Sequence, residues 1–348
     1  MINVALLKEI CEVSGAPGYE SKVRTIVLRE IEKLVDECRI DYMGNIIALK
    51  KGKDSSKKAM VAAHMDEIGF MVNYITDDGF LKFQTLGGFD PKTLTAQRVI
   101  VHGKRDLIGV MGCKPIHMMS PEERGKAPAL SDYYIDLGMP KEEVIKYVQV
   151  GDPVTRIGEL IEMGECVTSK SLDNRVSVFI LIETLKEIGT PAHDFYAVFT
   201  VQEEVGIRGA QVAAHSISPD FGFGLDVTIA YDLPGAKPEE VTTRLGKGTA
   251  IKIFDTSAIC DYRMVAFMKQ TADKHNIAWQ PEVLAGGGTD TAGMQRMATH
   301  GTIAGAISIP TRHLHQVIEM AHKKDIRLSI DLLKFCLEEL NTFDWNHK

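Results

Sequence analysis

Short runs of consecutive apolar residues, interspersed with helical segments, recur along this chain and restrict its fold more than any other feature. The run at 59–63 has no polar position, which is typical of a strand buried on both faces of a sheet. Further strands are predicted at 39–41, 45–49, 195–201, 222–225 and 303–307, and helices at 23–34, 175–186 and 326–340. This alternation predicts an α/β fold, an α/β/α domain with a mixed central sheet.

The stretch from residue 69 to residue 166 has a different pattern. Short alternating segments such as 70–75 and 107–111 are separated by turn signals, among them Asp77-Asp78-Gly79 and Gly87-Gly88. We therefore expect a small β-barrel-like domain at 69–166. It would interrupt the α/β domain, which would consist of residues 1–68 and 167–348.

Composition and charge exclude several classes of protein. Lysine and arginine number 40 against 47 aspartate and glutamate residues, so the formal net charge is −7, without the basic excess typical of nucleic-acid binding. No apolar run approaches the roughly 20 residues of a membrane-spanning helix. The segment 1–10 is typical of an amphipathic helix and not of a secretion signal. We expect a cytoplasmic protein that binds neither nucleic acid nor membrane.

The six cysteines are widely scattered and form no C-x-x-C pair. A chain of this length can bury a core without disulfides, so the spacing predicts free thiols in a reducing compartment. A metal in this protein would have to be held by oxygen and nitrogen atoms.

Acidic residues and histidines cluster at or near the ends of the predicted elements. In open α/β sheets ligands bind at the carboxyl ends of strands, so this placement is informative. Converging carboxylates would raise each other's pKa values, and divalent cations would remove that penalty. Imidazole and carboxylate without thiolate suit zinc, cobalt or manganese, and two such ions can activate a shared water and polarise a carbonyl. The clusters are 63–67, 171–175, 201–206, 224–227 and 311–315.

Each cluster taken alone has a simpler interpretation. Asp173, at the entry to an apolar helix, could be an N-terminal cap, and Glu203-Glu204 could be a solvated pair. The pair follows a mostly apolar strand, however, where successive side chains point to opposite faces, so one could bind metal while the other faces substrate. In an extended chain, His64 and Asp66 lie on the same side. The Asp66 carboxylate could therefore accept a hydrogen bond from the His64 ring, as carboxylates beside metal-bound histidines usually do.

The order of these clusters resembles that of a known enzyme family. The likeness covers essentially the whole chain, and the glutamate motif Gln-Glu-Glu-Val-Gly-Ile-Arg-Gly-Ala at 202–210 is quite specific. The other matching segments are 63–70, 173–175 and 287–290. The sequence is similar to the tetrahedral (TET) family of co-catalytic metallo-aminopeptidases, which includes the bacterial glutamyl aminopeptidases.

The resemblance implies a pair of divalent metal ions, with zinc or cobalt favoured and manganese as an alternative. By this resemblance His64 and Asp226 bind one ion, Glu204 and His315 bind the other, and Asp173 bridges them.

The resemblance also implies a reaction and an assembly. Glu203 would be the general acid/base, and Asp66 would orient His64. A metal-bridged hydroxide activated by Glu203 would release the N-terminal residue from short peptides. The inserted β domain would mediate assembly, and dimers would build a hollow dodecamer.

The chain departs from the family pattern at its last metal ligand, which usually follows Arg-Tyr-x. Here the segment reads Arg312-His313-Leu314-His315-Gln316, so His313 stands where a tyrosine is expected. In a strand-like segment both imidazoles could face the metals. His315 is the predicted ligand and His313 the alternative.

Substrate choice and reaction class stay open at this point. Both acidic and bulky apolar N-terminal residues fit such a site, and the basic candidates to anchor an acidic one are Lys170, Arg175, Arg208, Arg244, Lys247 and Arg312. A related two-metal deacylase or carboxypeptidase-like amidohydrolase is the alternative enzyme. A non-catalytic metal-binding scaffold is a further alternative, although metal binding alone does not need Glu203.

Overall fold

The computed structural model describes residues 2–347; Met1, where the predicted N-terminal helix starts, and Lys348 lie outside the described residues. The helices are α1 (Val4–Glu12), α2 (Ser21–Ile31), α3 (Pro121–Arg124), α4 (Lys141–Tyr147), α5 (Leu172–Glu187), α6 (Arg208–Ile217), α7 (Tyr262–Lys274), α8 (Asp290–Met297) and α9 (Lys323–Glu339). The strands before and within the predicted insertion are β1 (Glu37–Ile40), β2 (Ile46–Lys50), β3 (Asp54–His64), β4 (Gly69–Ile75), β5 (Leu81–Leu86), β6 (Arg98–His102), β7 (Asp106–Gly112), β8 (Tyr134–Asp136), β9 (Pro153–Arg156) and β10 (Ile161–Met163). The later strands are β11 (Cys166–Ser169), β12 (His193–Thr200), β13 (Phe221–Ile229), β14 (Thr249–Phe254), β15 (Trp279–Val283), β16 (Ile303–Arg312) and β17 (Glu319–His322).

One mixed sheet, with 11 strands in the described chain, forms the centre of the larger unit. Its middle is parallel, in the order β12-β3-β13-β16, and antiparallel strands flank it on both sides. Consecutive residues of β3 pack into different cores. Ala59, Val61 and Ala63 face the core covered by α1, α5 and α9, whereas Met60 and Ala62 face α6 and α8. The apolar run is thus buried on both faces, and the predicted α/β/α architecture is confirmed.

Strands β4 to β9 close into a separate barrel in the order β4-β5-β8-β7-β6-β9. The barrel has its own core, which includes Phe70, Val99 and Val154. Strand β10, inside the predicted insertion of residues 69–166, instead pairs with β11 in the large sheet, and the preceding Leu160 packs in the main core. The division into domains stays a prediction, and these contacts favour an end of the inserted unit near Arg156.

All six cysteines are free, as their spacing predicted. Three of them, Cys11, Cys260 and Cys336, are buried among apolar side chains of the main core. Within residues 2–347, no helix combines the length and the apolar character that crossing a membrane requires.

Candidate metal centre

The parallel strands bring the predicted site residues to one edge of the sheet. His64 is the last residue of β3, and Asp226 lies in the last half of the neighbouring β13. Glu203 and Glu204 follow the end of β12, and His315 follows the end of β16. Parallel strands share a carboxyl edge, so residues from distant parts of the chain meet there.

His64, Asp173 and Asp226 form a first group of donors. The Nε2 atom of His64 lies 3.3 Å from Asp173 Oδ1 and 3.9 Å from Asp226 Oδ1. One ligand atom from each residue lies within 4.8 Å of the other two. The Asn174 side-chain amide donates to the Leu225 carbonyl at 2.8 Å, which ties the start of α5 to β13 and keeps Asp173 beside Asp226.

Asp173, Glu204 and His315 form a second group with the same spacing. His315 Nε2 lies 3.3 Å from Asp173 Oδ2 and 3.8 Å from Glu204 Oε2. Asp173 therefore faces the two imidazoles through different oxygen atoms, the geometry that a bridging carboxylate needs. Within the described residues, the buried Glu204 Oε1 has no hydrogen-bond partner. A cation beside it would satisfy that atom, so these donors fit a pair of divalent ions.

Both imidazoles are oriented by backbone carbonyls. His64 Nδ1 lies 3.1 Å from the carbonyl oxygen of Asp66, and His315 Nδ1 lies 2.8 Å from that of Gly88. A carbonyl only accepts, so Nδ1 of each ring carries the hydrogen and donates it. The Nε2 lone pair is then left for a metal, as in metal-bound histidines whose other nitrogen is hydrogen-bonded.

Asp66 holds the backbone of the glutamate pair more directly than it holds His64. The Asp66 carboxylate is fully buried, and its two oxygens accept the backbone N–H groups of Glu203 and Glu204, each at 3.0 Å. Its Oδ1 atom is 3.5 Å from His64 Nδ1, too far for a strong hydrogen bond. The predicted contact with His64 is therefore weak, and the Asp66 side chain chiefly positions two successive glutamates.

The site concentrates negative charge, as the pKa values of its members show. Burial and the Asp173 carboxylate raise the pKa of Glu204 to about 8, and the same two causes raise that of Asp226 to about 8. Burial disfavours a charged His315, but its hydrogen bond to Asp173 and the Glu204 carboxylate raise its pKa to about 10. Burial and neighbouring carboxylates thus both raise the acid pKa values, whereas the carboxylates raise the pKa of His315 against the effect of its burial.

Glu203 points into the same space but belongs to neither donor group. Its Oε2 atom lies 3.8 Å from His64 Nε2, and its side chain is 10% exposed. Burial, together with the Asp226 carboxylate, raises the pKa of Glu203 well above its usual range. A carboxyl group beside the donor groups but outside them is placed to accept and release a proton during a reaction there.

The segment around His313 is not strand-like. Strand β16 ends at Arg312, and both His313 (φ +60°) and His315 (φ +62°) adopt the left-handed conformation. The premise that both imidazoles face the metals from an extended segment is therefore wrong. Among the described residues, the donor groups contain His315 and not His313.

A cavity of about 560 Å³ opens from the candidate ligands. Its walls beyond them are largely apolar, with Ile207, Leu284 and Leu314 among the lining residues. Lys252 also lines the cavity and was not singled out in the sequence, because one of its partners, Glu282, comes from the neighbouring strand β15. It is 1% exposed and pairs with Asp255 at 3.0 Å and with Glu282 at 2.9 Å.

Most of the basic residues near the ligands already have partners. Lys170 pairs with the buried Glu67 at 2.7 Å, and Arg312 pairs with Asp232. Arg175 is fully buried and donates to the carbonyl oxygen of Ile10. The remaining candidates, Arg208, Arg244 and Lys247, are exposed. In the described part of the chain, none of these six basic candidates lines the cavity.

Comparison with known proteins identifies the family of this chain. Residues 44–332 match the family model described as M42 glutamyl aminopeptidase. A chain of Acetivibrio thermocellus, named as a candidate aminopeptidase, is 41% identical over 94% of this chain and 96% of its own length.

Two solved structures have the same fold. Aminopeptidase APDkam598 from Desulfurococcus kamchatkensis superposes with a TM-score of 0.93 at 38% identity, over 97% of this chain and 94% of that one. The TET1 peptidase of Pyrococcus horikoshii gives a TM-score of 0.87 at 31% identity, over 97% of this chain and 99% of that one. That peptidase is described as able to assemble into a tetrahedron or a large octahedral shell. This chain therefore belongs to the M42 family of aminopeptidases, enzymes that hydrolyse peptide bonds.

Proposed function

We propose that this protein is a two-metal aminopeptidase that removes the N-terminal residue from short peptides. The single observation that carries the proposal is the pair of three-donor groups that share Asp173, with Glu203 beside them. His64 and Asp226 would complete one metal site, and Glu204 and His315 the other. Zinc or cobalt fits these donors best, and manganese is also compatible with them.

The chain's own residues supply the proton transfers. The two ions, when bound, would polarise the scissile carbonyl and lower the pKa of water. Glu203 accepts the proton of the attacking water and then donates it to the leaving amine, so its own charge is restored in each turnover. Asp66 keeps Glu203 in place through the backbone N–H bond at 3.0 Å. The surrounding carboxylates favour a positively charged substrate amine, which restricts cleavage to chain ends.

The alternative enzyme class has less support. Deacylases and carboxypeptidase-like amidohydrolases of this type would bind a substrate carboxylate through an arginine. The described residues that line the cavity include no arginine, and their lysine, Lys252, is already neutralised by two carboxylates. A scaffold without catalysis would have no need of Glu203, because this residue lies outside both donor groups.

We also propose a homo-oligomer, a dodecamer built from dimers, in the cytoplasm. The assembly described for the Pyrococcus horikoshii TET1 peptidase supports it. On the barrel, Ile108 is 68% exposed and Met118 is 71% exposed, which suits a surface that another subunit covers. The six free cysteines fit a reducing compartment. Light scattering coupled to size exclusion should give a mass twelve times that of the chain.

A panel of aminoacyl-arylamides tests the proposed activity. The purified protein is stripped with a chelator and then assayed with zinc, cobalt or manganese added singly. We expect activity only after metal is restored, and none on the matching N-acetylated substrates. Equal cleavage of the acetylated substrates, or full activity of the stripped protein, would contradict a metal-dependent aminopeptidase. The same panel identifies the preferred side chain.

A further inference from the structure

A buried carboxylate outside the two donor groups joins two of the candidate ligands. Glu319, the first residue of β17, is 1% exposed. Its Oε1 atom accepts the backbone N–H of His315 at 2.8 Å, and its Oε2 atom accepts that of Asp173 at 2.9 Å. One side chain therefore spans two segments that are more than 140 residues apart in the sequence.

The His315 segment depends on such contacts because it has left the sheet. His315 lies between β16 and β17 with a φ of +62°, a conformation that a residue with a side chain rarely adopts without external support. Its N–H is held by Glu319, its ring by the Gly88 carbonyl, and its own carbonyl oxygen by Arg156 Nη1 at 2.8 Å.

Two of these three restraints come from the barrel. Gly88 follows β5, and Arg156 is the last residue of β9 and is only 2% exposed. Glu319 alone also reaches Asp173, the residue shared by both donor groups. Its carboxylate thus links the backbone of Asp173 to that of His315.

We propose that Glu319 is a positioning residue for the metal pair, which it acts on through the backbone of Asp173 and His315. It holds the bridging carboxylate and the last imidazole at the separation at which both can bind the same ion. This inference rests on the proposed two-metal function and adds to it a residue that touches neither metal nor substrate.

Glu319→Gln is the first test variant. The amide has the shape of the carboxylate but offers one acceptor oxygen, so its NH₂ group must face one of the two backbone N–H groups. Glu319→Asp keeps the charge but shortens the side chain by one methylene, so it can meet one N–H and not both. A positioning role predicts that both variants bind metal weakly.

Asp325→Asn is a matched control. Asp325 also receives two backbone N–H groups, from Gly246 at 2.6 Å and Gly248 at 2.9 Å, and its side chain contacts none of the candidate ligands. The Asn variant therefore loses the same kind of contact at the start of α9. A loss of stability that Asp325→Asn shares with the Glu319 variants comes from the lost backbone contacts. A loss of metal affinity that only the Glu319 variants show comes from the metal site.

The measurement is a cobalt titration of the full-length protein by calorimetry, with the visible spectrum of bound cobalt as a second readout. We expect two equivalents for the wild type and Asp325→Asn. Glu319→Gln and Glu319→Asp should bind the second equivalent about 10 to 100-fold more weakly, with an altered spectrum. Binding by Glu319→Gln within two-fold of the wild type, or wild-type affinity in Glu319→Asp, would overturn the positioning role. A wild type that binds no metal would instead overturn the proposed function and this inference with it.

Discussion

Replacing Glu203 by glutamine tests the chemical step most directly. The amide has the same shape as the carboxyl group but cannot accept the proton of the attacking water. A general base usually contributes about 10²–10⁴ in rate, or about 2.7–5.4 kcal/mol at 1.36 kcal/mol per factor of ten. The neighbouring carboxylates of Asp173, Glu204 and Asp226 all belong to the two donor groups, so none is free to replace Glu203. We therefore expect the upper half of the range, a loss of about 10³–10⁴ in kcat.

The variant should otherwise resemble the wild type. Asp66 binds the backbone N–H of residue 203, and this contact does not depend on the side chain. Burial and nearby carboxylates raise the pKa of Glu203, so a neutral amide removes charge repulsion and should not lower the melting temperature. Glu203 lies outside both donor groups, so both metal equivalents should remain.

Three measurements on one preparation separate the possible outcomes: kcat and KM on an aminoacyl-arylamide, metal content, and thermal unfolding. Glu204→Gln is the matched control, since the same change at the next residue removes a proposed ligand and should release one ion. If Glu203→Gln keeps both ions and more than a tenth of the wild-type kcat, the residue is not the general base. If it releases metal, Glu203 belongs among the ligands.

Three further perturbations test other parts of the site. Asp173→Asn should reduce metal content at both sites, measured by elemental analysis, and two full equivalents in this variant would contradict the bridging role. Gly87→Ala should lower both stability and kcat, because φ there is +97° and a Cβ atom would lie 2.4 Å from Ile68 Cγ2 and 3.3 Å from Glu204 Oε2. Its control is Gly138→Ala (φ +67°), where no atom lies within 4 Å and kcat should not change. Lys252→Met should destabilise the fold by about 3–5 kcal/mol in denaturant unfolding, because it leaves Asp255 and Glu282 buried without their cation. The exposed Lys126→Met should have no such effect, and equal unfolding midpoints for the two variants would contradict this reasoning.

Much of the candidate site was accessible from the sequence because its residues follow recognisable strands. The apolar runs predicted where each strand ends, and the candidate ligands lie at or close after those ends. The family resemblance then paired the ligands, and the donor groups around Asp173 agree with that pairing. The choice between His313 and His315 needed the structure, because the backbone there turns left-handed at both residues and is not extended.

The amino-acid sequence by itself determined the alternation of helix and buried strand, the β-rich stretch that follows β3 and the types of side chain that meet at the sheet edge. These properties depend on neighbouring residues and on periodicity, so a local pattern carries them. Only the tertiary structure decided which charges pair and which groups restrain the ligands. Glu319 contacts Asp173 across 146 residues of chain, and Arg156 contacts His315 across 159. Such pairs depend on how whole elements dock, and no local pattern of residues encodes that docking.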